Sequence, residues 1–216
     1  METRAMELTS GRHRAVVIRA IEGHFVTQHS HVSHCIDMTK IKSQTESAKA
    51  AARLFAADFY NTPVDTIITL ERTKMVGAFL ADELSRAGIN LQQDIAVITP
   101  EITGEKLFLR DNLLPYVKNR RVLLLTATAT TGMTLLSALE GIVYYGGTPT
   151  GAATVFGGDF GTEVKIKGAE MPVPVVRLFG TEDIAGYSSY HPNACPLCRA
   201  GVKVDAVVNS YGYSKI

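Results

Sequence analysis

Residues 121–138 read RVLLLTATATTGMTLLSA. The apolar run Val122-Leu123-Leu124-Leu125 leads into the loop Thr130-Thr131-Gly132-Met133-Thr134, then into a helical pattern with Leu135, Leu136, Leu139, Ile142 and Val143 on its buried stripe. A continuously apolar strand has to be covered on both faces, as in a parallel sheet flanked by helices. A short Thr/Gly loop entering a helix offers unpaired main-chain N–H groups, the positive end of the helix dipole and hydroxyl donors around one small space. A phosphate monoester fits such a cradle, and Gly132 supplies the positive φ or close backbone approach that it needs. The competing reading is an ordinary strand-to-helix turn with threonine caps.

The same alternation extends on both sides. Residues 64–70 form a β-branched run after the breaker Asn61-Thr62-Pro63, and residues 75–87 are helical up to Gly88. Residues 94–99 and 121–125 are expected as strands, residues 134–145 as a helix stopped by Gly146-Gly147, and residues 152–156 and 173–179 as further strands. Upstream, residues 43–60 form an alanine-rich helix with Ala51, Leu54, Phe55 and Phe59 on one stripe. Residues 5–22, with Ala15, Val16, Ile18 and Ile21 apolar, are expected as another helix, closing near Gly23. Such βαβ units define an α/β protein with a mostly parallel central sheet, whose ligands bind beyond the C-terminal strand ends. Residues 100–119, which include Gly104 and Pro115, are expected as a long, mobile loop, and residues from 187 onward as an appendage.

The 216 residues carry 22 basic and 21 acidic side chains, a net charge of +1. That balance leaves no bulk field to draw the chain to nucleic acid or an anionic membrane, so a bound anion requires a local site. The longest uncharged stretches, residues 122–139 and 141–158, are broken by Thr and Gly and do not read as membrane spans. The start Met1-Glu2-Thr3-Arg4 lacks the pattern of a secretory leader, and 3 cysteines are too few for a disulfide scaffold. The expectation is a cytoplasmic protein.

With these residues on the page, the stretch 121–138 resembles the signature of type I phosphoribosyltransferases. There a strand leads into two acidic residues, a short spacer, and Thr-Thr-Gly-x-Thr around the 5′-phosphate of phosphoribosyl pyrophosphate (PRPP). Gly23-His24-Phe25-Val26, Cys35-Ile36-Asp37-Met38 with Lys40, the strand-loop-helix over residues 66–84, and Cys195-Pro196-Leu197-Cys198-Arg199-Ala200-Gly201 resemble orotate phosphoribosyltransferases, in the same order along nearly the whole chain. The resemblance implies one domain over residues 1–216, with a core over 40–180 and a small hood from 1–40 and 181–216. It also implies Mg2+, a small-molecule substrate set of PRPP and a pyrimidine-like base, and a homodimer sharing its lids. Carried over residue by residue, Thr130, Thr131, Gly132, Met133 and Thr134 match the phosphate loop. Arg72, Thr73 and Lys74 fall at the pyrophosphate loop, Lys106 with Arg110 in the lid, and Thr126 beside the ribose hydroxyls.

The chain departs from the family at the acidic pair, where it has Thr126-Ala127. Losing one charge-assisted interaction made chiefly in the transition state removes about 2–4 kcal/mol, about 30- to 1000-fold in rate. Ile98-Thr99-Pro100-Glu101 stands where orotate enzymes place an Arg-Lys pair, and residues 153–158 lack the arginine that pairs with the orotate carboxylate. Two readings follow: an orotate-type transferase with weakened or altered catalysis, and a non-catalytic nucleotide or phosphosugar binder on the same fold.

Four of the 6 histidines lie between His24 and His34. If that segment is extended, His29, His31 and Cys35 share one face, an arrangement able to hold a metal or touch a ligand; a polar strand with surface histidines is the preferred reading. Cys195 and Cys198 supply two of the four ligands of a tetrahedral zinc site, which His191 and Cys35 complete only if the fold gathers them. A structural tail ranks ahead of zinc there, and zinc ahead of redox chemistry.

Overall fold

The structure is a computed structural model and describes residues 2–103, 106–209 and 212–216. Its strands are β1 (Ala5–Ser10), β2 (His13–Val26), β3 (His31–Asp37), β4 (Thr66–Thr69), β5 (Ala96–Ile98), β6 (Glu101–Thr103), β7 (Lys106–Phe108), β8 (Arg121–Ala129), β9 (Thr148–Gly157), β10 (Glu163–Val164), β11 (Val173–Gly180), β12 (Ser189–Tyr190), β13 (Ala206–Asn209) and β14 (Gly212–Lys215). Its α-helices are α1 (Thr39–Ser43), α2 (Thr45–Asp58), α3 (Lys74–Ser85), α4 (Met133–Tyr144) and α5 (Pro196–Arg199).

The central sheet runs β11-β9-β8-β4-β5, all parallel, with β10 antiparallel on the β11 edge. Side chains of β8 alternate between two cores. Leu123 and Leu125 join Ala51 and Phe55 of α2 and Leu80 of α3, whereas Val122 and Leu124 join Leu135, Leu139 and Ile142 of α4. Burial on both faces explains why the β8 sequence is apolar without alternation.

A second sheet is built from the two ends of the chain, in the order β12-β3-β2-β13-β14 with β1 added to β2. Here the expectation of a helix over residues 5–22 fails. Val16, Ile18 and Ala20 are all buried, with less buried residues between them, so the operative period is two. A few apolar residues at 15, 16, 18 and 21 satisfied a helical stripe as well, and pairing with β1 and β3 decides between the two.

Among the described residues of 100–119, regular structure appears where a loop was expected. β6 and β7 pair antiparallel, and a 3-10 segment, Asp111–Tyr116, follows. Leu107 is buried against α4 at Gly141, where even a Cβ would come 3.0 Å from the Leu107 Cβ. Gly104 lies outside the described residues. Among the described residues no helix is long and apolar enough to cross a membrane.

Candidate functional site

A cavity of about 560 Å³ lies between the two sheets, over the C-terminal ends of β4 and β8. Its floor is residues 127–134 with Leu70 and Glu71; its hood wall includes Val32, His34, Cys35, Tyr187 and Tyr213. Thr130, Thr131, Gly132, Met133 and Thr134 all line it. Gly132 is the N-cap of α4 with φ +74°, and its carbonyl accepts from the Leu136 amide at 2.8 Å. The left-handed turn lets the chain enter α4 with the amides of its first turn lacking acceptors one turn back. A second glycine sets the loop's position. The Gly158 amide donates to the Ala129 carbonyl at 2.8 Å, so close to the loop that a Cβ on Gly158 would fall onto the Thr130 carbonyl oxygen.

Beside this loop sits a carboxylate that comparison of aligned positions does not reveal. β4 stops pairing with β8 at Thr69↔Leu125, and the Glu71 side chain takes over the next amides of β8. Its Oε2 accepts from the Ala127 amide at 3.0 Å, the Thr128 amide at 2.7 Å and the Thr126 hydroxyl at 2.8 Å, and the Thr128 hydroxyl lies 3.1 Å from each carboxylate oxygen. Thr126 and Ala127 are the positions at which the resemblance places an acidic pair, and the carboxylate in contact with them here is that of Glu71. Glu71 and Arg72 have φ of 51° and 64°, a left-handed conformation in two successive non-glycine residues that points to a constrained, functional loop.

Several expected roles are corrected by the geometry. Thr126 is buried, and its hydroxyl already donates to Glu71, so it does not face a ribose hydroxyl. Thr73 is completely buried; its hydroxyl bonds to the Leu70 and Leu125 carbonyls and fastens the start of α3 to the sheet. Arg72 and Lys74 are exposed beside the cavity and are not among its described lining residues. Lys106 is exposed on the hairpin outside the lining, and Arg110 is tied to Glu101 at 2.9 and 3.0 Å, an ion pair that competes with any pyrophosphate contact. The cation among the described lining residues is Lys42, which no motif marked. Burial pushes its ammonium pKa down, opposed by the charge of Glu71, while Arg72 adds to the lowering.

Of the cavity wall supplied by β3 and Tyr187, Asp37 carries charge and the rest is uncharged. His34 is buried, stacks on Tyr187 with ring centroids 6.1 Å apart, and has its pKa lowered by burial. Burial pushes the Cys35 thiol up to about 12, so it is an uncharged wall and no thiolate nucleophile, and it raises the Tyr187 hydroxyl as well. The alternative grouping of His29, His31 and Cys35 does not form: His29 and Cys35 line the cavity, whereas His31 does not and lies instead beside His24, Cys195 and Cys198. His191 accepts from the Asn193 amide at 3.3 Å within its own turn, and neither it nor Cys35 joins Cys195 and Cys198 in the one His/Cys group found among the described residues.

The architecture is the type I phosphoribosyltransferase fold. The adenine phosphoribosyltransferase of Trypanosoma brucei, solved with AMP, pyrophosphate and ribose-5-phosphate, superposes with a TM-score of 0.53 at 17% identity over 76% of this chain and 78% of that one. The adenine phosphoribosyltransferase of Thermoanaerobacter pseudethanolicus gives 0.51 at 12% identity over 83% and 96%. In sequence the chain is 24% identical over 206 residues to the orotate phosphoribosyltransferase of Chlorobaculum parvum, covering 95% of this chain and 93% of that protein. No protein-family profile matches it. The chain thus resembles the type I phosphoribosyltransferases, and the orotate enzymes among them.

Proposed function

We propose that this protein binds PRPP and transfers its phosphoribosyl group to a pyrimidine-like base, an orotate-type reaction run at a reduced rate. The observation that carries this reading is the loop of residues 130–134, turned by a left-handed Gly132 and facing a cavity of about 560 Å³ between the core and the hood. The likeness to the Chlorobaculum parvum orotate enzyme over 95% of the chain supports it. In this reading, the amides and hydroxyls of residues 130–134 hold the 5′-phosphate, and Lys42 offsets charge on the departing pyrophosphate. The neutral wall of Val32, His34 and Tyr187 receives the base. A base nitrogen bonds to C1′ as the bond from C1′ to the pyrophosphate oxygen breaks.

Glu71 faces the positive charge that develops on the ribose. Because its oxygens already accept from two amides and two hydroxyls, part of its charge is compensated before substrate arrives, which is why we assign a reduced rate. Mg2+ fits the donor set: the cavity presents the Asp37 and Glu71 carboxylates and threonine hydroxyls, hard oxygen ligands that leave most positions to water and phosphate. When bound, it would neutralise pyrophosphate charge. Ile102 and Phe108, exposed on the hairpin, support a homodimer in which a second copy covers them. A cytoplasmic setting accords with this chemistry.

The test is incubation with Mg2+, PRPP and orotate or uracil, following pyrophosphate release. Release that depends on the base supports the transferase. A second reading, a non-catalytic nucleotide or phosphosugar binder, is favoured by the committed Thr126 hydroxyl. Calorimetric binding of UMP without pyrophosphate release would select it, and binding of neither PRPP nor UMP would overturn both.

A further inference from the structure

We propose that His24, His31, Cys195 and Cys198 form a structural zinc site that fastens the two ends of the chain together. His24 lies on β2 and His31 opens β3, whereas Cys195 caps and Cys198 lies in the short helix α5, more than 160 residues later in the sequence. One ligand atom from each of the four lies within 4.8 Å of every other. The His24 Nε2 is 3.6 Å from each sulfur, the His31 Nδ1 is 3.3 Å from the Cys198 sulfur, and the two nitrogens are 3.0 Å apart. A regular tetrahedron with Zn–N of about 2.0–2.1 Å and Zn–S of about 2.3 Å has edges of about 3.3 Å between nitrogens and about 3.6 Å between nitrogen and sulfur. The four measured edges lie within about 0.3 Å of those values.

Hydrogen bonding alone does not account for the cluster. The His24 Nδ1 meets the Val202 carbonyl oxygen at 2.8 Å, and because a carbonyl only accepts, that nitrogen carries the hydrogen. The Nε2 then has one lone pair, yet it is approached by three groups at 3.0, 3.6 and 3.6 Å. One lone pair satisfies one donor; a cation at the centre takes one lone pair from each of the four atoms. The Val202 carbonyl supplies the outer contact that fixes a ligating imidazole. Two thiolates with two imidazoles in tetrahedral array select zinc over the harder divalent ions. His24 and Cys195 are buried and no water position is needed among four protein ligands, so the site is structural.

The site also has a mechanical role in the fold. Among the described residues the C-terminal segment reaches the N-terminal hairpin through short pairings, Ser189↔Val32, Tyr190↔His31 and Ala206↔Phe25 among them, and side-chain bonds such as Arg4 to Asp205. A metal at this corner would hold β2, β3 and α5 together beside the hood wall of the cavity. The proposal does not depend on the reading of that cavity.

The test is metal analysis of the full-length protein purified under reductant, followed by chelation and titration with Zn2+ and Co2+. We expect one Zn2+ per chain, a Co2+ form with the strong visible bands of a tetrahedral centre and a near-ultraviolet thiolate charge-transfer band, and a lower melting temperature after chelation. Cys198→Ser, at an exposed position, should lose affinity by more than about 100-fold, exceeding the loss seen when only an outer-shell partner is removed. His31→Gln gives an independent second loss, and His191→Ala should keep full stoichiometry. Absence of Zn2+ uptake, a Co2+ spectrum without the thiolate band, a Cys195–Cys198 disulfide persisting under reductant, or a Cys198→Ser protein that binds as tightly as the parent would each overturn the site.

Discussion

The placement of Glu71 can be tested by a double-mutant cycle between it and Thr126. The Thr126 hydroxyl lies 2.8 Å from the Glu71 Oε2 at a buried position. In Thr126→Asp a second carboxylate stands within about 4 Å of the first, and at an effective dielectric of about 20 the repulsion costs about 4 kcal/mol. Glu71→Gln keeps one acceptor oxygen and removes the charge. Three charge-assisted donors to Oε2 become neutral hydrogen bonds, each weaker by about 0.5–1.5 kcal/mol, so the single change costs about 2–4 kcal/mol. In the double variant the repulsion is gone and the new carboxylate faces a side-chain amide, so the pair should be more stable than the sum of the singles by about 4 kcal/mol. Urea denaturation of the four proteins at neutral pH measures this directly. Additivity within about 0.5 kcal/mol would refute the placement of Glu71 against β8. Pyrophosphate release on the same proteins adds a functional reading: Thr126→Asp alone should not gain activity, because it creates a like-charge pair instead of restoring the family's geometry.

Three further outcomes are expected. Gly132→Val should weaken calorimetric binding of ribose 5-phosphate at least tenfold and cost about 1–2 kcal/mol of stability, since φ there is +74° and a side chain would crowd Phe160; unchanged affinity would place the ester elsewhere. Leu107→Ala should cost about 2–3 kcal/mol of docking, read as faster hydrogen exchange over residues 101–103 and 106–110 with the central strands unaffected; no change would mean that the hairpin leaves α4 in solution. Arg121 holds the Asp65 carboxyl below its usual range through bonds of 2.6 and 2.9 Å from its guanidinium. A depressed native pKa gives stability that is present above the unfolded value near ~4 and lost as pH falls through the native one. Asp65→Asn should therefore melt below the parent at pH 7 by about 2–4 °C, with the gap closing in acid, and an undiminished gap at low pH would contradict a charge-based contribution.

The central sheet was legible because its signals are local. A four-residue apolar run, a Gly stop and an alanine stripe each occupy one stretch of chain, and residues 121–145 needed no long-range information. The hood was not legible for the opposite reason. Residues 5–22 carry too few apolar positions to separate a period of two from 3.6, and pairing with strands contributed by other segments settles the matter. The loop of residues 130–134 was legible as a unit because its amides come from consecutive residues, and it lines the cavity as a unit. The cations were misplaced because a lysine's position in sequence does not say where a long side chain ends. Arg72 and Lys74 carry the charge that the motif led one to expect, whereas Lys42, on a helix with no motif, lines the cavity. The proposed metal site divides the same way: Cys195 and Cys198 were visible as a pair, but His24 and His31 come from β2 and β3, and the pairing that brings them to the cysteines leaves no mark in the local sequence.

The acidic pair shows why a lost motif is weaker support for lost chemistry than it first appears. A carboxylate acts through its distance from the developing charge, and nothing in that interaction depends on which strand supplies it. Where the phosphoribosyltransferases it resembles carry two acids this chain has Thr126-Ala127, and the amides that follow β8's last pairing with β4 need an acceptor there. Glu71 meets that need from the neighbouring loop at 2.7–3.0 Å. Its left-handed backbone, at φ 51°, is the strained geometry required to turn the side chain across the strand end. An acid held this firmly is well placed and poorly free to strengthen its interactions in a transition state, so the substitution of one acid for two predicts slow turnover instead of none. A rate in Glu71→Gln equal to the parent's would break this link between geometry and catalysis even if the cradle still binds its phosphate.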